Sequence, residues 1–266
     1  MRSSIIERIR APFQIRMDYD PGLRIKNNPI YQTVSRCTIK HMVSASDSYQ
    51  QLVQRIKAAS AKRGPDHAKV RLLAVSKRQP IERIRTVADC GQRCFGENYL
   101  QEAEAKIAAL APLALEWHFV GRLQSNKTRQ AAVLFDWIHS VDRMKIAQRL
   151  NDQRPEDAAP LNICIEVNIS AERSKGGIAP DEVPGFIDML NDYPRLKLRG
   201  LMALPAPETD TEQQRQTFRQ LFDLFSSVER PDFDTLSLGT SGDFETAIAA
   251  GATMVRIGTA LFGPRG

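Results

Sequence analysis

The stretch Arg71-Leu72-Leu73-Ala74-Val75-Ser76-Lys77 decides how the rest of the chain is interpreted. An apolar, β-type run ends here in a small residue followed by a cation. A buried strand ordinarily excludes lysine, because an ammonium group removed from water needs a partner or must lose its proton. At the C-terminal end of a barrel strand, however, a lysine lies at the mouth, where such folds carry their sites. The stretch therefore predicts a barrel strand with Lys77 at the mouth; the alternative is a strand-ending lysine that simply reaches solvent.

Strand-like and helix-like segments alternate on both sides of this stretch. The strand candidates are residues 70–75, 93–95, 117–120, 137–140, 162–168, 198–201, 235–238 and 254–257. The helix candidates are residues 47–63, 81–90, 100–110, 127–134, 143–153, 183–191, 211–228 and 244–250. The first helix precedes the first strand, with an expected cap at Asp47 and a stop at Gly64-Pro65.

Strands that are separated by helices require parallel pairing and right-handed crossovers. Eight such strands over about 220 residues are typical of a closed barrel. The sequence therefore predicts an α/β fold, a single (β/α)8 TIM barrel with a leading helix. A doubly wound open sheet is the alternative, but it would normally break into halves around a linker, and the sequence shows none.

Residues 1–43 show no sustained helical or strand period, and the pattern sharpens from Ser44 onward. We therefore expect a disordered or non-native extension over residues 1–43 and a barrel over residues 44–266. The extension holds eight of the 37 Lys and Arg residues and three of the 31 Asp and Glu residues. The rest of the chain is therefore nearly neutral, which argues against a nucleic-acid-binding protein, because such proteins usually spread their basic excess over the folded part.

The sequence also argues against membrane, secreted and metal-binding classes. No apolar run approaches the roughly 18 residues needed to cross a bilayer, and the N-terminus lacks the apolar core of a secretory signal. The four cysteines show no paired metal-ligand spacing; they are Cys37, Cys90, Cys94 and Cys164. We expect free thiols in a cytoplasmic protein and no metal site.

Two stretches after the last two predicted strands have the character of phosphate-binding loops. Residues 239–243 read Gly-Thr-Ser-Gly-Asp and lead into a helix, where free backbone N–H groups and hydroxyls favour an anion. Gly258 and Thr259 follow the final strand and offer a close backbone approach and another hydroxyl. In (β/α)8 barrels the loops after strands seven and eight often bind phosphate. The alternatives are that Ser241 only caps a helix and that Gly258 is a turn glycine.

Three further polar residues lie at or near strand ends. Arg256 would ordinarily form a structural salt bridge, but beside a heteroaromatic cofactor its permanent charge would keep a ring nitrogen unprotonated. Asn98 could donate to a phenolate oxygen, or it could form an Asx turn. His118 is interpreted as a packed or hydrogen-bonded strand histidine rather than a catalytic base. The amine of Lys77, with its pKa lowered at the mouth, could attack an aldehyde and form a Schiff base.

Five motifs together resemble the pyridoxal phosphate homeostasis protein family, whose barrel is similar to the N-terminal domain of alanine racemase. They are LAVSK at 73–77, FGENY at 95–99, WHFVGRLQSNK at 117–127, LRGLM at 198–202 and TMVRIGTALFG at 253–263. The resemblance covers roughly residues 44–263. It departs from the family pattern at Arg122, where the family often has proline, and at Thr240 and Gly242, in a loop that differs among members.

The resemblance implies the cofactor pyridoxal 5′-phosphate (PLP) and a role for each candidate residue. Lys77 would hold PLP as a Schiff base, Arg256 would face the pyridine nitrogen, and Asn98 would lie near the ring. The residues expected to hold the phosphate are Ser241, Gly258 and Thr259. The implied function is PLP binding in intracellular PLP homeostasis, cofactor supply and amino-acid balance.

The resemblance also bears on turnover. A racemase needs an acid and a base on opposite faces of its reacting adduct. In alanine racemase the second group, a tyrosine, comes from a C-terminal domain of the partner subunit, whereas this sequence ends at Gly266. We therefore expect a PLP carrier without strong turnover. The alternatives are a slow PLP-dependent amino-acid racemase and an interaction module that binds no cofactor. The expected partners are PLP and PLP-dependent apo-enzymes, with no nucleic acid or membrane, and the expected state is a cytoplasmic monomer.

Overall fold

Eight parallel strands pair in chain order, and the last strand closes the ring against the first. The strands are β1 Arg71–Val75, β2 Cys94–Glu97, β3 Glu116–Phe119, β4 Trp137–Val141, β5 Leu161–Val167, β6 Leu196–Ala203, β7 Thr235–Ser237 and β8 Met254–Ile257. The computed structural model describes residues 44–64, 69–170, 172, 176–206, 208 and 210–263. Within this part of the chain the sheet is a closed barrel, which confirms the predicted (β/α)8 fold and excludes the doubly wound open sheet.

Helices lead into the barrel and connect its strands. They are α1 Ala45–Ala61, α2 Ile81–Asp89, α3 Leu100–Leu110, α4 Thr128–Leu134, α5 Met144–Gln153, α6 Val183–Leu190, α7 Thr211–Ser226, α8 Phe244–Ala250 and α9 Thr259–Phe262. The leading helix is therefore confirmed, while the prediction for residues 1–43 lies outside the described residues. None of the described helices combines the length and the apolar character needed to cross a membrane.

Most predicted boundaries lie close to the observed ones, and two departures have a clear physical cause. The cap of α1 is Ser44, not Asp47, because the Ser44 side chain accepts a hydrogen bond from the Asp47 backbone N–H. β6 is longer than predicted, and Gly200 within it accommodates an irregular register with β5. A Cβ on Gly200 would lie 1.8 Å from the carbonyl oxygen of Thr235, so only glycine fits there.

Alternate residues of each strand face either the surrounding helices or the barrel interior. In β5, Ile163 and Ile165 belong to the main core together with helix residues. Cys164, between them, packs with Trp137 and Met202 in a separate small cluster. The interior of the barrel also contains polar side chains that bond to one another. Its fully or almost fully buried polar side chains include those of His118, His139, Ser237 and Arg256.

Candidate functional site

A cavity of about 260 Å³ lies at the C-terminal ends of the strands, and we call it the mouth cavity. The side chains and backbone that line it belong to Val75, Lys77, Gln79, Asn98, Val120, Leu204, Thr240, Ser241, Arg256, Gly258, Thr259 and Gly263. All six residues proposed from the sequence are among them. The structure therefore brings the candidates together at one place, and their individual roles toward a ligand stay predictions.

Lys77 sits in a tight turn directly after β1. The Gln79 N–H donates to the Ser76 carbonyl at 3.0 Å, and Ser76 itself is anchored to β2 by a bond from its N–H to the Gly96 carbonyl at 2.9 Å. Arg78 has a φ of 59°, a left-handed conformation that is uncommon for a residue other than glycine. Such local strain persists where the surroundings impose it, and it is often found at binding sites.

A buried ionic cluster imposes this turn, and we call it the Lys106 cluster (Ser76, Glu97, Glu102 and Lys106). Lys106 Nζ donates to the Ser76 carbonyl at 2.6 Å, to Glu97 Oε1 at 2.7 Å and to Glu102 Oε1 at 2.6 Å. The Ser76 hydroxyl also donates to Glu97, at 2.6 Å. Glu102 accepts the N–H of Arg78. The residues on both sides of Lys77 are thus held by one cluster on β2 and α3.

The two glycine-rich loops meet at one wall of the mouth cavity. The Ala260 N–H donates to Ser241 Oγ at 3.1 Å, which joins the loop after β7 to the segment after β8. Ser241 is not the N-cap of α8; that residue is Asp243, whose side chain makes no cap bond. The Asp243 carboxylate accepts from the N–H and the hydroxyl of Thr240. A Cβ on Gly258 would lie 3.3 Å from the Val75 carbonyl oxygen, so the backbone approaches β1 closely here.

Arg256 reaches the cavity from the barrel interior and is 5% exposed. Its Nη1 donates to the carbonyl and the hydroxyl of Ser237 at 2.6 and 2.7 Å, and its Nη2 donates to the Ala203 carbonyl at 2.7 Å. Burial lowers the pKa of Arg256 to about 10. The guanidinium therefore remains charged at neutral pH. The ordinary explanation for Arg256, a salt bridge, is wrong for the described residues, because its hydrogen-bond partners there are neutral.

Asn98 directly follows β2 and lines the cavity. Its Oδ1 atom is buried and has no hydrogen-bond partner among the described residues, which excludes the Asx turn as the explanation for this residue. Buried polar atoms without partners are rare in folded proteins. Gly121 packs so closely against Asn98 that a Cβ there would lie 2.4 Å from its carbonyl oxygen. The close backbone approach at Gly258 and the buried cation at Arg256 fit a small anionic ligand.

Some features of the site were not predicted from the sequence. Gln79 also lines the cavity. Lys106 was missed because its partners are separated in sequence, although a lysine on the buried face of α3 was a visible signal. The prediction that His118 is hydrogen-bonded within the barrel is confirmed by its contacts with Glu116 and with His139.

At the opposite end of the barrel, Cys94, Glu116 and His118 place their ligand atoms within 4.8 Å of one another. Sequence spacing did not indicate this group, because its members lie on two different strands. The Arg71 guanidinium donates to the Cys94 sulfur at 3.0 Å and to Glu116 at 2.5 Å. A cation is thus already present between the sulfur and the carboxylate, so the group forms an ion-pair cluster.

Comparison with known proteins places this geometry in a family. The family model described as alanine racemase, N-terminal domain, matches residues 48–266. Pyridoxal phosphate homeostasis proteins of Pseudomonas aeruginosa and Escherichia coli K12 are each 50% identical to the chain, over 224 and 220 residues. These alignments span 84% and 81% of this chain, and 97% and 94% of the relatives. The chain belongs to the pyridoxal phosphate homeostasis protein family.

Solved structures agree with this membership. PipY of Synechococcus elongatus is 34% identical to this homeostasis-family chain, and its structure without PLP gives a TM-score of 0.74. The match covers 83% of this chain and 100% of PipY. The structure of PipY with PLP bound gives a TM-score of 0.72. Alanine racemase of Corynebacterium glutamicum shares the fold, with a TM-score of 0.60 and 19% identity. The match covers 82% of this chain and 62% of the racemase. The resemblance drawn from the five sequence motifs is thereby confirmed.

Proposed function

We propose that this chain holds PLP in the mouth cavity, as a Schiff base on Lys77, and serves the homeostasis and supply of PLP and the balance of amino acids. The observation that carries this proposal is that Lys77, Arg256 and the two loops after β7 and β8 line one cavity. The names of the close relatives and the structure of PipY with PLP bound support the choice of ligand.

Each part of the cavity has a role in this proposal. The Lys77 amine condenses with the aldehyde and releases one water molecule. Ser241, Gly258 and Thr259 hold the phosphate through hydroxyl and backbone N–H groups. The charged Arg256 donates to the pyridine nitrogen and keeps it unprotonated. The Asn98 carboxamide lies near the ring, where its N–H donates to the phenolate oxygen. When bound, PLP supplies a reactive aldehyde and an electron sink.

The lining of the cavity supports a carrier rather than a strong catalyst. Among the described residues that line it, Lys77 is the single side chain suited to proton transfer, since the others are apolar, amide, hydroxyl, glycine or arginine residues. Two-base chemistry needs a second acid or base across the adduct. An arginine at the ring nitrogen also weakens the electron sink that transaminases and decarboxylases use. We therefore propose storage and delivery of PLP without strong turnover.

We further propose that the protein acts in the cytoplasm as a monomer and passes PLP to PLP-dependent apo-enzymes. It would need neither nucleic acid nor a membrane for this role. The near balance of basic and acidic residues outside residues 1–43 supports a role that does not involve nucleic acid.

Absorption spectroscopy and peptide mapping test the proposal. Purified protein with added PLP should show a visible Schiff-base band, and borohydride should fix the pyridoxyl group on the peptide that contains Lys77. Lys77→Ala should lose the band and the fixed adduct, yet retain some PLP through the phosphate contacts. Lys57→Ala, at an exposed lysine of α1, is the matched control and should behave as wild type. A fixed pyridoxyl group on another peptide of the wild-type protein would contradict the assignment.

A racemase assay separates the carrier from the slow enzyme. Incubation of the PLP-loaded protein with L-alanine and other L-amino acids should yield no more D-isomer than PLP alone. Robust formation of the D-isomer that Lys77→Ala abolishes would replace the carrier with an enzyme. A protein that remains colourless in the presence of PLP would instead favour an interaction module.

A further inference from the structure

A row of hydrogen bonds crosses the barrel interior from β3 to Arg256 at the mouth cavity, and we call it the interior chain. Glu116 Oε1 lies 2.6 Å from His118 Nε2, and His118 Nδ1 lies 2.9 Å from His139 Nε2. His139 Nδ1 lies 3.2 Å from Ser237 Oγ, which accepts from Arg256 Nη1 at 2.7 Å. The row joins strands β3, β4, β7 and β8 through side chains alone.

The two ends of the interior chain determine which ring nitrogens carry hydrogen. Although burial opposes it, bonds from His118 and Arg71 lower the pKa of Glu116 to about 2. Glu116 is therefore a carboxylate and only accepts, so His118 donates from Nε2 and accepts at Nδ1. His139 then donates from Nε2 to His118. At the other end Arg256 can only donate, so the Ser237 hydroxyl accepts from Arg256. The same hydroxyl then donates a hydrogen bond to His139 Nδ1.

Burial favours the neutral form of both histidines. Burial is the main cause that lowers the pKa of His118, against the opposing effect of Glu116. The pKa of His139 is lowered well below its usual value by burial, with added effects of His118, Arg256 and Arg71. The His118 ring also stacks on Trp137 with centroids 5.2 Å apart. The rings are thus fixed in place and in tautomer, and every bond of the row points from Arg256 towards Glu116.

We propose that the interior chain positions the Arg256 guanidinium at the mouth cavity. Without the Ser237 hydroxyl, the guanidinium would keep one carbonyl contact on each terminal nitrogen, from Nη1 to Ser237 and from Nη2 to Ala203. The Ser237 hydroxyl adds a second contact on Nη1, and because its hydrogen is committed to His139, it presents only lone pairs to Arg256. Ser237 and His139, anchored through His118 on Glu116, are therefore positioning residues. Their relevance to PLP rests on the proposed function, whereas the orientation of Arg256 does not.

Nitrogen-15 NMR of the cofactor-free protein tests the direction of the chain. Long-range proton–nitrogen spectra, assigned with the His139→Gln variant, should show His118 and His139 as neutral Nε2–H tautomers across the neutral pH range. A merely structural packing of the two rings would not require this tautomer at both positions. An Nδ1–H tautomer or an imidazolium at either histidine would overturn the proposal.

Substitutions at Ser237 test whether the chain positions Arg256. In the cofactor-free protein, Ser237→Ala should speed the rotation of the Arg256 guanidinium in arginine NMR spectra, while Ser237→Thr, which keeps the hydroxyl, should preserve the slow rotation. Cys164→Ala is the matched control, a similar truncation inside the barrel but outside the chain. Unchanged rotation in Ser237→Ala would overturn the proposal.

PLP binding forms the second arm of this test. Ser237→Ala should weaken PLP retention by roughly tenfold, because a bond to a charged group has been lost. Cys164→Ala should retain PLP as wild type does. Wild-type affinity in a Ser237→Ala protein whose Arg256 rotates freely would overturn the role of the chain at the site. If the wild-type protein itself binds no PLP, the proposed function fails, while the NMR results still decide on the interior chain.

Discussion

Ser241 and Thr259 bring two hydroxyl groups to one wall of the mouth cavity from loops that follow different strands. Their simultaneous replacement, Ser241→Ala with Thr259→Ala, should weaken PLP affinity. With ~1 kcal/mol for each lost hydrogen bond, the loss is about tenfold to hundredfold. Titration of protein fluorescence with PLP measures it, and Thr217→Ala, at an exposed hydroxyl of α7, serves as the control. Undiminished affinity in the double variant would refute the phosphate site.

Glu166 adds a pH dependence to folding at the level of a single residue. Burial, with the nearby Asp142 as a second cause, raises the pKa of Glu166 from 4.5 to about 7. Between these values the folded protein keeps a proton that the unfolded chain has lost, so stability falls as pH rises through this window. We expect Glu166→Gln to remove this decline, which is on the order of 3 kcal/mol at most. Urea unfolding at several pH values measures it.

The comparison must be made between variant and wild type, because His118 and His139 act in the opposite direction. Their pKa values are lowered in the folded protein, so stability is lost as pH falls below their ordinary value of 6.5. This contribution is common to both proteins and cancels in the difference. The quantity compared is the difference in free energy of unfolding between wild type and Glu166→Gln. If this difference does not change with pH, Glu166 is already ionised in the folded state.

At the scale of elements, the Lys106 cluster links α3 to the turn that carries Lys77. Lys106→Met would leave Glu97, which is buried, without its cation. Removal of one partner of a buried pair typically costs about 3–5 kcal/mol, so the free energy of unfolding should fall by that order. Chemical denaturation measures the change, and Lys145→Met, at an exposed lysine of α5, is the control.

A double variant separates the structural from the positioning role of the cluster. Lys106→Met with Glu97→Gln removes both charges and should recover part of the lost stability. The Ser76 carbonyl would still lack its bond from Lys106. The fraction of PLP that borohydride fixes on Lys77 should therefore remain below that of the wild-type protein. Full recovery of the fixed fraction would show that the cluster stabilises the fold without shaping the turn.

The elements were largely predictable because their signals are local. Apolar runs, helical spacing and glycine stops lie within single segments, so the strand order and the barrel followed from the sequence. Residues next to strand ends, such as Lys77 and Arg256, were predictable for the same reason. The Lys106 cluster and the interior chain were not, because each depends on side chains from several elements whose facing directions appear only in three dimensions. The cap at Ser44 was missed because Asp47 suggested the same role three residues later.

At the scale of the whole molecule, the site spans the junction where the barrel closes. β1, which precedes Lys77, pairs with β8, which carries Arg256, over the register Arg71↔Met254 to Ala74↔Ile257. PLP that binds only the closed barrel should stabilise it by about 2.7 kcal/mol at a free concentration near 100 Kd. Hydrogen exchange should therefore slow most at the amides between β1 and β8 when PLP is added.

The amides between β4 and β5 provide the internal control for this measurement, since neither strand contributes a residue to the cavity. They should gain only the protection that follows from global stabilisation. Equal slowing at both junctions would mean that PLP does not act preferentially at the point of closure.

The pairing of the first strand with the last also bears on biosynthesis. A ribosome releases β1 long before β8, so a growing chain presents the lysine without the arginine and without the second half of the anion pocket. On the proposed site, stable capture of PLP therefore requires that β8 and the segment up to residue 259 have been synthesised. We therefore expect a product that ends before β8 to capture little PLP.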